Sequence, residues 1–260
     1  MFSQEPGRGT IVNPPVPSLP AGFRELASKN AAAPCLEPPP LPGLEDYNGP
    51  MAKTVGLFAR ALERKSVHDP HYKPGVTLCS LGAKDKFELF LQDSTDPITF
   101  LSAGFDAAID HASDRDPSYG QGWEGYSKRF GADLADRGSS KFFKDFAYPT
   151  LFAEDPRYYR LGHGGTAERF VHAAEHSVIA HRGDGRRMFN FSEWLGTASA
   201  VAVSNLYHPG EKRGAGEMSR NMGFRLANDI AFDVLREFWP DVAHKFKLPF
   251  RGTDVKSPKR

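Results

Sequence analysis

Two histidines and a glutamate stand together in "FVHAAEHSV": His172, Glu175 and His176. Their order, H-x-x-E-H, is the zinc signature of one class of metallopeptidase. Histidines at i and i+4 share a helix face and can chelate one zinc ion. Glu175 would then activate the metal-bound water. A third ligand could come from Glu193, Glu211 or Glu217 downstream. Helix phase works against this chemistry. At about 100° per residue, Phe170, Ala174 and Val178 form an apolar stripe, and His172 and His176 fall opposite it. The stripe is expected to face a core and the histidines solvent, whereas a zinc hydrolase needs a walled site with oriented supporting groups. Two surface histidines are therefore expected, with zinc held by His172 and His176 and Glu175 as base as the alternative.

A second candidate lies in "DFAYPTLFAEDPRYYR", the densest aromatic run in the chain. Arg157, Tyr158, Tyr159 and Arg160, with Trp123 and Tyr126 of "GQGWEGYSKRFG", could form a stacking or cation–π surface for a sugar, a lipid head group or a partner. The simpler expectation is an irregular connector pinned by its rings, and a Gly-rich link anchored in a core by Trp123 and Tyr126. "HDPHY" adds His68, Asp69 and His71 as loop ligands. Cys35 and Cys79 are not a C-x-x-C pair, which argues against a redox motif or zinc knuckle. If they pair, the loop of about 45 residues would contribute roughly 4 kcal/mol of chain entropy, given an oxidising compartment. A P-loop, a G-x-S-x-G elbow and an E-x-x-H di-iron motif are all missing from the sequence.

The elements that must position these residues are helices. Residues 1–50 hold 11 of the 21 prolines, and proline lacks a donor and fixes φ. A disordered Pro-rich leader is expected there, with a PxxP-type docking ligand as its functional version. From residue 51 the apolar spacing becomes helical. Ile98, Leu101, Phe105, Ile109 and Ala112 make one stripe, with Asp106 and Asp110 pointing away from it. A helix near 126–136 is expected to end at Gly138, and one from Thr166 to about His181 at "RGDGRR". Ser192 is expected to cap the next helix. In the last long helix Met222, Leu226, Ile230 and Val234, with Phe224, Ala231, Leu235 and Phe238, cover a wide arc. That leaves Asp229, Asp233 and Arg236 on the expected wet side. Period-2 alternation is confined to "GVTLCSL".

The expected fold is all-α: a compact bundle of about five to seven helices over residues 51–250, followed by a disordered basic tail at 251–260. Small residues recur at spacing four: Gly104, Ala108 and Ala112; Gly131 and Ala135; Gly196, Ala200 and Ser204. Such faces let helix backbones approach closely. The formal charge of +1 gives no signal for nucleic acid. No apolar run approaches the roughly 20 residues of a membrane span, and no signal peptide is visible.

The runs "GQGWEGYSKRFGADLAD", "FFKDFAYPTLFAEDPRYYR", "FNFSEWLGTASAVAVSNLYHPG" and "DVLREFWPDV" resemble a group of uncharacterised bacterial proteins over about residues 84–251. The resemblance implies export and carries no assigned activity, ligand or catalytic residue. The expected function is a non-catalytic structural or interaction protein of the periplasm or cell envelope, with a protein or a membrane surface as partner and no cofactor. The alternatives are the zinc-dependent hydrolase and a small-molecule or lipid binder using the space between helices.

Overall fold

The apolar and small-residue periodicity becomes a helical bundle in the computed structural model, which describes residues 49–68, 79–208 and 215–249. The expected leader, the basic tail, Cys35, Asp69 and His71 lie outside the described residues. The described part belongs to one compact unit, residues 36–260. Its principal helices are α1 (Ala52–Glu63), α2 (Ala83–Ser94), α3 (Pro97–Ala112), α4 (Gly122–Lys141), the short α5 (Tyr148–Leu151), α6 (Thr166–Glu175), α7 (Phe191–Tyr207) and α8 (Ala215–Phe246). Asp96 caps α3 as its position before Pro97 predicts, accepting from the Ile98 amide at 2.9 Å. At α7 the cap is Asn190 rather than Ser192: its Oδ1 accepts from the Glu193 amide at 2.8 Å.

Three boundaries differ from expectation, each for a local reason. Gly138 does not end α4, which runs on into a π-helical segment at Phe142–Ala147. Wide turns there precede Pro149, whose ring cannot fit against the carbonyl four residues back in a regular helix. Phe142 and Phe146 of that segment pack on Phe90 and Phe87 of α2, with ring centroids 5.7 and 5.0 Å apart. The second difference is the end of α6 at Glu175. Beyond it, β4 (Ile179–Arg182) and β5 (Arg187–Phe189) pair as an antiparallel hairpin, turning at "RGDGR" with Gly185 at φ 84°.

The third is Pro240, which sits inside α8 instead of opening a new turn. Its missing amide leaves the Arg236 carbonyl without a helical donor. Arg160 supplies one: its Nε donates to that carbonyl at 2.8 Å. The break that proline makes in the ladder is therefore filled from another strand, and the helix continues.

Small sheets complete the fold. β1 (Ser66–His68) pairs in parallel with β3 (Tyr158–Arg160), and β2 (Glu154–Asp155) pairs antiparallel with β4. The aromatic run expected as an irregular connector thus provides two strands. The purely apolar core is small: Ala59 and Leu62 of α1 meet Trp239 and Ala243 of α8, with Leu248 against them. Close backbone approach supplies much of the remaining packing. Ala103 and Ala107 of α3 and Ala200 of α7 are fully buried. A Cβ on Gly196 would stand 2.6 Å from Lys144 Cγ, so α7 lies against the π segment at glycine distance. Gly131, of the same expected small-residue pattern, has open space around it.

Candidate functional site

The helices enclose charge. Arg64 bonds both Asp93 and Asp96. Lys65 sits 2.7 Å from Asp93 and 2.5 Å from Asp145. Lys144 bridges Glu193 at 2.8 Å and Asp229 at 2.6 Å. His176 Nδ1 donates to Asp233 Oδ2 at 2.7 Å, and Arg236 Nη1 reaches the other oxygen at 2.7 Å. These groups come from α1, α2, the π segment, α6, α7 and α8, so the fold alone brings them together.

Each carboxyl answers its surroundings. Burial would raise Asp93, but Lys65 and Arg64 hold it down at about 2. Burial pushes Glu154 up to about 7, against the opposing pull of Ser192, whose amide donates to it at 3.2 Å. Burial likewise lifts Glu193 to about 7, with Asp229 adding to the rise and Lys144 opposing it. Burial would lower His176; the Asp233 carboxylate outweighs it and raises the imidazole above its ordinary value. Lys141 is lowered to about 8 by burial, although its Nζ donates to Thr99 Oγ1 at 2.7 Å.

This places the sequence candidates. The phase expected for α6 is reversed: Ala173 is fully buried, Phe170 is 52% exposed and Val171 and Val178 are exposed. The histidine face points inward. His172 Nε2 donates to the Tyr159 carbonyl at 2.8 Å, and its ring meets Tyr158 edge-on, as does that of His176. Glu175 points elsewhere and pairs with Arg187. The three residues of H-x-x-E-H therefore do not converge on one point. Among the described residues no three His, Cys, Asp or Glu side chains are grouped to hold a metal.

The aromatic candidates divide. Tyr158 and Tyr159 are buried, and Arg157 and Arg160 nearly so. Tyr158 Oη donates to Glu237 at 2.8 Å and Tyr159 Oη to Asp155 at 2.7 Å. Arg157 forks onto Asp155 and donates to the Cys79 carbonyl at 2.7 Å. Their polar atoms are used inside the fold, as in a connector pinned by its rings. Trp123 is 80% exposed, stacked on Tyr126, so it does not anchor the Gly-rich link. That anchor is Arg129, which sequence reasoning missed. Its buried guanidinium donates to the carbonyls of Arg115, Asp116 and Gly120 at 2.7–3.1 Å. Gly125 is needed there because a Cβ would stand 2.2 Å from the Gly120 oxygen.

The same inversion holds for α3, and on α8 for one of its two stripes: Phe224, Ala231 and Leu235 are exposed, while Met222, Leu226, Ile230 and Val234 are half-buried. Leu101, Phe105 and Ile109 are exposed while Thr99, Ala103 and Ala107 are buried. Asp106, half exposed, pairs with Arg137, and Asp110 pairs with Arg115. On α8, Asp233 is buried and pairs with Arg236, Asp229 pairs with Lys144 from a partly exposed position, and Phe224, Phe232 and Leu235 face out. The result is an open groove of about 1360 Å³. Exposed apolar residues of α3 and α8 form its rim and the ion-paired interior its floor. At one end Asp133 is raised to about 6, by burial and by the neighbouring Asp110, Asp106 and Asp136. Asp133 Oδ2 is buried with no hydrogen-bond partner among the described residues. The charges of this floor were visible in the sequence, but they carried no local pattern that would have joined them.

No helix among the described residues is long and apolar enough to cross a membrane. No protein-family model matches the chain, and no curated protein or solved structure matches it.

Proposed function

We propose that the protein is a non-catalytic interaction protein that receives a partner on the open side of the bundle. The observation that carries this reading is the outward placement of Leu101, Phe105 and Ile109 on α3 and Phe224 and Phe232 on α8, around one groove. Exposed apolar side chains gathered around one groove mark interaction sites rather than ordinary monomer surface. Hydrolysis by zinc has less support, because Glu175 and the two histidines point to different partners. A small molecule also fits less well. Pockets for such ligands are commonly about 300–1,000 Å³ and bury most of the ligand, whereas this groove is larger and open.

Size in a native extract tests the reading. The wild-type chain is expected to elute well above its 28.7 kDa monomer mass. A Phe105→Ser, Phe224→Ser double variant is expected to elute as monomer with an unchanged melting temperature. Elution of the wild type as free monomer, with no lipid carried along, removes the proposal.

A further inference from the structure

Resting on that reading, we infer that the groove between α3 and α8 receives a basic amphipathic helix of a partner protein. Its shape is the first argument. It is open and edged by apolar residues of two helices, the form that receives a rod such as an amphipathic helix. Chemistry of the walls is the second. The rim is apolar on two sides, at Leu101, Phe105 and Ile109 and at Phe224 and Phe232. The floor is polar and charged. A helix laid in a groove with an apolar rim contacts it through residues spaced i, i+3, i+4 and i+7. Its remaining face, pressed to the floor, must be polar.

Charge selects the sign of that face. Thirteen Asp and Glu side chains line the groove against nine Lys and Arg. The excess is not evenly compensated. Arg64, Lys65, Lys144 and Arg236 are each held by carboxylates, whereas Asp133 Oδ2 has no donor among the described residues. Asp133 also stands beside Asp106, Asp110 and Asp136 along the groove, and a lysine or arginine arriving from the partner would place a cation against that acidic group. Anionic lipid head groups and acidic peptides would meet the wrong charge. A basic helix satisfies rim and floor at once.

The test uses the full chain and three fluorescein-labelled 18-residue peptides: an amphipathic Lys/Leu helix, the same pattern in Glu/Leu, and the Lys/Leu composition with its periodicity scrambled. Anisotropy should show 1:1 binding of the amphipathic Lys/Leu peptide, at least tenfold tighter than either control. Asp133→Asn should weaken it about three- to tenfold, and Phe105→Ser with Phe224→Ser at least tenfold. Leu206→Ser, an exposed apolar site outside the groove, should leave it unchanged. Circular dichroism melts confirm that each variant folds; Ile109→Ser replaces the double variant if that one does not.

Equal binding of the Glu/Leu or scrambled peptide overturns the inference, as does equal weakening by Leu206→Ser. So does tight binding to phosphatidylcholine vesicles through Phe105 and Phe224 that the peptide cannot displace. If no peptide binds but the native extract still holds a large Phe105-dependent complex, the occupant is wrong and the interaction reading stands. If no peptide binds and the chain is monomeric there, both fall.

Discussion

His176 Nδ1 donates to Asp233 Oδ2 at 2.7 Å, tying the C-terminal end of α6 to the middle of α8. Arg236 shares the same carboxylate. Removing the carboxylate leaves two cationic groups inside the bundle, and breaking a buried pair from one side costs about 3–5 kcal/mol. Asp233→Ala is expected to lower unfolding stability by about that amount in urea titrations. The histidine contribution has a defined pH sense. A folded-state value raised above the ordinary 6.5 adds stability that is complete below 6.5 and disappears as pH rises through the raised value. His176→Asn should lack that part of the pH dependence.

Glu154 shifts stability in the same pH direction, through its neutral form. Its folded-state value of about 7 lies above its ordinary 4.5, so between these values the native chain holds a proton that the unfolded chain has released. Stability therefore falls as pH rises through this window. Glu154→Gln, which cannot ionise, should be the more stable form at pH 8 by about 1–3 kcal/mol. At pH 4 it should match the wild type. Glu193 adds a decline of the same direction over the same range. Thermal melts of both proteins across pH 4–9 check this.

Arg129 holds the loop between α3 and α4 chiefly through the carbonyls of Arg115, Asp116 and Gly120, with its Nη1 also 3.2 Å from His111 Nδ1 and its Nη2 3.7 Å from the Asp114 carboxylate. A lysine carries its donors on one atom and cannot reproduce the fork. Arg129→Lys is expected to lose about 2–4 kcal/mol through acceptors left without donors. Limited proteolysis should then cut between residues 113 and 122 before any other described segment.

Two glycines of the small-residue pattern should behave oppositely. Gly196→Ala places a methyl group against Lys144 and is expected to cost about 1–3 kcal/mol by overpacking. Gly131→Ala enters open space on a helix surface and should stabilise by about 0.5–1 kcal/mol through helix propensity. Melting temperatures of the two variants decide it.

Zinc offers a direct check of the H-x-x-E-H geometry. His172 Nε2 is committed to the Tyr159 carbonyl and His176 Nδ1 to Asp233. Zinc titration is expected to give no stoichiometric uptake that a His172→Ala, His176→Ala double variant removes. Such uptake, measured by elemental analysis of untagged protein, would restore the hydrolase alternative.

Periodicity in the sequence determined that the chain is helical, because i, i+4 and i+7 spacing is a local property. It also located the Asp96 cap and the close-packed Gly196, Ala200 face of α7. Phase was not local. In α3, α6 and α8 the apolar stripe and its polar opposite were both legible, but assigning the apolar side to the interior was wrong for α3, for α6 and for one of the two stripes of α8. Which side faces in depends on partners distant in sequence. Asp233 needs His176, 57 residues away, and Lys144 needs Asp229, 85 residues away. Paired in this way, charges can occupy an interior that an isolated helix would reserve for leucine and phenylalanine. The same pairing explains why Arg160, in a segment that reads as an aromatic surface, instead completes α8 at Pro240. Sequence alone set each helix and its two faces; only tertiary pairing of opposite charges decided which face became the interior, and so placed an apolar-rimmed groove on the outside.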